Sequence, residues 1–242
     1  MAHESPTFSP LYRQIKDLII QGLQSGEWRP GEAIPSEVEL AHRFNVSQGT
    51  VRKAIDELAA EHLLVRKQGK GTFVSSHADP RAFFRFLRLV RQDGQIEPAQ
   101  SVPLECLRAR AGVEAARVLE IQPGDAIVVM RRVLRFGGKT LVVDEIYLPG
   151  DLFGSMTLEV LQTYQGSLYS LFESRFGVRI IRATEKIRAV AADRSSGDIL
   201  AVPEGTPLLS VERVTYTYQD RPVEWRRGLY CTNEYFYLNE LT

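Results

Sequence analysis

Apolar residues recur at helical spacing three times in the first sixty positions, and then the period changes. Leu11, Ile15, Leu18, Ile19 and Leu23 form one stripe, which stops at Gly26. Val38, Leu40, Ala41 and Phe44 form a shorter one. It is opened by Pro35-Ser36-Glu37, where Ser36 can cap and Glu37 sits near the positive end of the helix dipole. Asn45 can take the left-handed conformation that ends such a helix. Ser47 follows almost at once as a second cap, with Val51, Ala54, Ile55 and Leu58 as the next stripe. Two helices joined this closely are predicted to cross as a helix-turn-helix. Leu63–Lys67 and Thr72–Val74 then read as strands around Gln68-Gly69-Lys70-Gly71, a hairpin tip that glycine permits. The pattern predicts a winged helix-turn-helix over residues 1–74, a shape that suits duplex DNA.

After residue 74 the texture differs. Residues 75–80 are small and polar and end on proline, which predicts a linker. From residue 81 to 242 short helical patterns alternate with extended runs. Val102–Ala109, Ala126–Phe136, Lys139–Leu148, Ile180–Ala191, Leu208–Tyr218 and Pro222–Tyr230 read as strands, with Gly137-Gly138 a hairpin turn. Val113–Leu119, Leu158–Tyr164, a segment capped by Ser167, and Ser195–Leu200 read as helices. Hairpins interleaved with short helices predict an α+β domain, its mainly antiparallel sheet covered on one side.

Composition narrows the function classes. The 242 residues carry 30 Lys/Arg and 30 Asp/Glu, and residues 1–77 hold nine of each, so even the winged segment is formally neutral. The charges are sorted, however: Leu63–His77 carries Arg66, Lys67 and Lys70 and no acid. Few phosphates can be neutralised per copy, so DNA affinity is expected to depend on a homodimer. No apolar run approaches the roughly 18 residues of a membrane span, which predicts no membrane partner. Cys106 and Cys231 are too few for a disulfide framework or zinc site, which fits a reduced cytoplasm. There is no nucleophile–base pair, metal-ligand cluster or phosphate loop. We therefore expect no enzyme, no catalytic residue, no metal and no cofactor.

Pro35-Ser36-Glu37, Val46-Ser47, Thr50-Val51-Arg52, Leu58 and Gly69-Lys70-Gly71-Thr72-Phe73-Val74 together resemble the GntR superfamily of bacterial transcription regulators. Phe83-Phe84-Arg85-Phe86, Tyr147-Leu148-Pro149, Ser167-Leu168-Tyr169, Phe176-Gly177-Val178 and Pro222-Val223-Glu224 are similar to the UTRA ligand-sensing domain of the HutC subfamily. The resemblance implies a sensing fold like chorismate lyase, a buried small-molecule effector, homodimerisation, and most commonly repression. By position it implies that Ser36, Ser47, Gln48, Thr50 and Arg52 face the operator and that Gln68, Gly69 and Lys70 form the wing tip. Arginine suits guanine and glutamine suits adenine, and glycine lets a backbone enter a narrow groove. Relatives often carry arginine at the positions of Val38 and Gln48, so this operator should differ from theirs.

For the effector, the resemblance implies Arg132, Ser167, Tyr169, Glu224 and Tyr230, with either Asp144 or Glu145. In the relatives that sense sugar phosphates a second arginine follows Arg132; here the position is Leu134. Arg85 falls where relatives often have a small hydroxyl residue. Arg132 lies in an apolar strand, where an arginine must be paired or must bind an anion. Arg132, Arg85 and the capped Ser167 together predict a small organic anion, a carboxylate. Arg132 pairing with Glu224 or Asp144 is the plain alternative. A ligand-independent DNA-binding dimer and a lyase-like enzyme are the competing functions.

Overall fold

The structure, a computed structural model, describes residues 9–78, 88–95 and 97–239. The chain divides into two compact units, Met1–Asp79 and Pro80–Thr242. In the first, α1 (Leu11–Gln24) buries Ile15, Ile19 and Leu23, which lie one above another at intervals of four. Leu11 and Leu18, predicted on that stripe, are 51% and 43% exposed and flank it. Gly22 gives the helix room for the buried indole of Trp28: a Cβ there would lie 2.5 Å from Trp28 Cζ3.

Helix α2 (Glu37–Phe44) starts in a full capping box. Glu39 N donates to Ser36 Oγ, and Ser36 N donates to Glu39 Oε2 at 2.8 Å. It ends on Asn45 at φ 53°. Val38, predicted on the buried face of α2, is 62% exposed; Leu40 alone is fully buried there. Helix α3 (Gln48–Ala60) is capped by Ser47 and buries Val51, Ala54, Ile55 and Leu58 completely. Strands β1 (Leu64–Lys67) and β2 (Gly71–Val74) pair antiparallel to make the wing, and an Ala33–Phe73 bridge ties it to the loop before α2. The first unit is a winged helix-turn-helix.

The second unit is built on a six-stranded antiparallel sheet. Its strands are β4 (Gln100–Arg110), β5 (Ala126–Phe136), β6 (Lys139–Pro149), β7 (Arg182–Ala191), β8 (Pro207–Tyr216) and β9 (Pro222–Tyr230). They lie in the order β4-β5-β6-β9-β8-β7, and β3 (Leu89–Arg91) pairs separately with β10 (Tyr235–Tyr237). Helices cover both faces, not one. Helix α4 (Val113–Leu119) packs on Ile127, Val129, Tyr147 and Trp225. Helices α5 (Gly150–Phe153), α6 (Leu158–Thr163) and α7 (Leu168–Phe176) pack around Val128, Met130, Ile146 and Leu148. The physical reason is an unbroken apolar run at Ala126–Met130, which offers two faces to bury instead of one. The remaining helix, α8 (Arg194–Leu200), adjoins a third apolar cluster through Leu200, with Phe136, Val142, Val211 and Tyr230. Helices α4 and α8 end on Glu120 and Ala201, both non-glycine residues in the left-handed region at φ 54°.

Candidate nucleic-acid interface and sensing site

The start of α3 is held by hydroxyls. Thr50 N donates to Ser47 Oγ at 3.2 Å, and the Ser47 and Thr50 hydroxyls lie 2.8 Å apart. Ser36, Ser47, Gln48 and Arg52 are exposed and Thr50 is half-buried. At the wing tip Gln68, Gly69 and Lys70 are exposed, with Gly69 at φ +70°, where a side chain would be strained. Lys53 places its ammonium 3.9 Å from the centre of the Tyr12 ring. Those two side chains therefore have each other as partners.

Arg52 also has a partner, one that periodicity could not reveal. Its Nε donates to Glu37 Oε2 at 2.9 Å, its Nη2 lies at ion-pair distance from the same oxygen, also 2.9 Å, and Gln48 Nε2 donates to it at 3.2 Å. Arg66 Nη2, arriving from the wing, donates to Asp56 Oδ1 at 2.7 Å and forms an ion pair with Glu37 Oε1 at 3.0 Å. Burial works against ionisation of Glu37, yet the hydrogen bonds and charges of these partners hold its carboxyl below the usual range.

In the sheet, strand alternation decides which predicted effector residues meet. Arg132 faces Asp144 across β5 and β6; its Nε donates to Asp144 Oδ2 at 3.0 Å, and its Nη2 forms an ion pair with the same oxygen, also at 3.0 Å. Glu145, one residue on, projects to the opposite face with Tyr147 and Arg227. Arg226 Nη1 donates to Asp144 Oδ2 at 3.3 Å, and its Nε donates to Glu224 Oε1 at 2.6 Å. Glu224 Oε2 also accepts from the Thr215 hydroxyl, at 3.3 Å. Arg213 sits opposite Arg226 in the register, pairs with Glu185 at 2.5 Å, and lies 3.5 Å from the Tyr169 hydroxyl. Tyr230 leans over Gly228, where a Cβ would lie 2.5 Å from Tyr230 Cε2 and 2.8 Å from Asp144 Oδ1. Ser167 spends its hydroxyl on capping α7, accepting from Ser170 N at 3.1 Å. Arg85 lies outside the described residues.

The result is a band of buried charge between two apolar clusters. Arg132, Asp144, Glu224, Arg226, Arg213 and Thr215 are all at most 6% exposed. Arg213, Arg226 and Thr215 escaped the sequence reading. Their alternation with Glu224 and Tyr230 across the β8–β9 hairpin is the signal that carries them. Three arginines meet three carboxylates, Glu185 included, so the band is formally neutral. Burial, and next the like charge of Arg226, pull Arg132 below its ordinary value despite Asp144. For Arg226, burial is outweighed by Glu224, and its value rises. Burial first, then Glu224 for Tyr169 and Asp144 for Tyr230, push both hydroxyls up to about 12. Among the described residues, Asp144 Oδ1 is buried without a donor. Arg226 Nη2 lies 2.5 Å from Glu224 Oε1 but is not aligned for a hydrogen bond.

Comparison with known proteins covers both units. Residues 11–74 match the gntR family of bacterial regulatory proteins, and residues 99–235 match the UTRA domain. The ligand-binding domain of a GntR-family transcriptional regulator from Bordetella bronchiseptica is 48% identical. It covers 65% of this chain and 98% of its own, with a TM-score of 0.64. An Escherichia coli (strain K12) transcriptional repressor named for a fructoselysine utilization operon is 28% identical over 88% of this chain and 87% of its own. The mannosyl-D-glycerate transport/metabolism system repressor of the same strain is 27% identical over 93% of each chain.

Proposed function

This chain belongs to the GntR family of bacterial transcriptional regulators, with a UTRA domain, and on that premise we propose how its two sites divide the work. It is a DNA-binding regulator whose DNA binding is modulated by an effector, and its family consists of regulators rather than enzymes. In our reading residues 1–74 bind DNA, residues 75–80 link, and residues 81–242 sense the effector. Ser36, Ser47, Gln48, Thr50 and Arg52 meet the major groove, and Gln68, Gly69 and Lys70 enter the minor groove. Two copies, acting in the cytoplasm as a repressor, place their recognition helices about one helical turn, roughly 34 Å, apart. The effector favours one arrangement of the dimer over another.

The observation that carries the sensing proposal is the buried band with its unpartnered Asp144 Oδ1. A buried carboxylate oxygen without a donor asks for one, and a ligand hydroxyl or ammonium would supply it. Arg132 and Arg226 would receive a carboxylate that competes with Asp144 and Glu224. We therefore propose a polyhydroxylated carboxylate. Fructoselysine and mannosyl-D-glycerate, after which two relatives are named, both have that chemistry. A second reading is a purely structural band, favoured by the fact that Arg132 is already neutralised by Asp144. Thermal-shift screening of sugar acids and other small carboxylates, followed by calorimetry on an Arg132→Ala variant, separates the two. A hit whose binding survives the substitution would remove Arg132 from the site, and a screen without hits would favour the structural band.

A further inference from the structure

On the DNA-binding reading proposed above, Glu37 sits where its charge is least expected, between Arg52 of the recognition helix and Arg66 of the wing. Its helix-start role is already filled, because Glu39 completes the capping box with Ser36. Its side chain is only 15% exposed, whereas those of Arg52 and Arg66 are 56% and 44% exposed. The arginines therefore reach outward while the carboxylate stays beneath them, touching one with each oxygen. Asp56 accepts a hydrogen bond from Arg66, so this patch of two cations and two anions sums to zero.

We propose that Glu37 is a positioning and specificity-determining residue, which withholds Arg52 and Arg66 from indiscriminate phosphate contact and fixes the Arg52 guanidinium for base readout. Non-specific binding depends on neutralising phosphates, and an arginine already paired releases few counterions when it meets one. Base readout depends on geometry, and the Nε hydrogen bond and Nη2 ion pair from Arg52 to one carboxylate oxygen hold its guanidinium in place while leaving Nη1 free of that carboxylate. The formal neutrality of the winged segment is then a device against wrong sites, and not a weakness of the domain.

The test is fluorescence anisotropy of the full-length protein on a random-sequence 30-base-pair duplex, across a salt series, comparing wild type with Glu37→Gln. The substitution keeps the size and leaves the Ser36–Glu39 cap in place. The expected result is tighter non-specific binding and a plot of log affinity against log salt steeper by about one to two, roughly 0.9 for each phosphate contact released. On an operator selected from a random pool by the wild-type protein, the ratio of specific to non-specific affinity should fall by about three- to tenfold, as one or two extra contacts imply. Asp56→Asn, at a more exposed position outside α2, should steepen the slope by less, and it decides the matter if Glu37→Gln does not melt like wild type. Natively melting variants with an unchanged slope would overturn the proposal.

Discussion

Replacing Asp144 by asparagine keeps the shape of the side chain and removes one charge from the centre of the buried band. Asp144 is fully buried and serves two guanidiniums, Arg132 at 3.0 Å and Arg226 at 3.3 Å. At these distances, and with an effective dielectric of about 20, each pair interacts by roughly 5 kcal/mol. Relaxation and water entry recover much of this, and breaking a buried pair from one side typically costs about 3–5 kcal/mol. For a unit of this size that is a fall in melting temperature on the order of 10 °C. The chain carries its own reporter, for it has two tryptophans, Trp28 in the winged unit and Trp225 in the sensing unit. In a Trp28→Phe background, urea titration followed by Trp225 fluorescence reads the sensing unit alone. Adding Arg132→Met to Asp144→Asn leaves Arg226 balanced by Glu224 and should recover most of the loss. A Trp225 transition within about 1 kcal/mol of the parent for Asp144→Asn alone would refute the reasoning, because a missing counter-ion could not then matter.

Arg52→Ala should weaken binding to the selected operator by about 1–3 kcal/mol per half-site, measured by anisotropy, and equal affinity would remove it from the interface. Gly228→Ala should destabilise the sensing unit by about 1–3 kcal/mol in the same Trp225 assay, since the new methyl meets Tyr230 and Asp144; a neutral result would show that Tyr230 can swing away freely. Tyr169 and Tyr230, pushed up to about 12, are favoured in their neutral form by the fold. Their contribution is complete below the ordinary tyrosine value near 10 and is lost as pH rises towards about 12. Tyrosinate absorbance should therefore show late-ionising groups that disappear in Tyr169→Phe and Tyr230→Phe variants. Their full ionisation near pH 10 in a natively folded chain would contradict the burial argument.

What could be read without coordinates was local. Ser36 and Ser47 as caps, Asn45 as a left-handed stop and Gly69 in the wing each follow from a few neighbouring residues. What could not be read depends on register or on a third element. Asp144 and Glu145 differ by one position, and only the pairing of β6 with β5 and with β9 assigns Asp144 to Arg132 and Glu145 to Arg227. Arg213 and Arg226 look like ordinary solvated charges until β8 and β9 are laid side by side in the sheet. Val38 fits a helical stripe yet faces outward, because an eight-residue helix buries one narrow line and Leu40 already occupies it. The meeting of Arg52 with Arg66 on Glu37 joins α3, the wing and α2, which no periodicity links.

Two of the left-handed caps carry neither glycine nor asparagine, and they bear on how this protein can change. Glu120 and Ala201 each hold a backbone conformation that disfavours a β-carbon, at about 1 kcal/mol apiece. A chain selected for the greatest possible stability would have glycine at both positions. Natural proteins settle just above the stability their function requires, and substitutions at such caps are reachable in a single step. Glu120 and Ala201 therefore mark unused capacity, a reserve of about 2 kcal/mol that could offset destabilising changes in the sensing band while its ligand preference evolved.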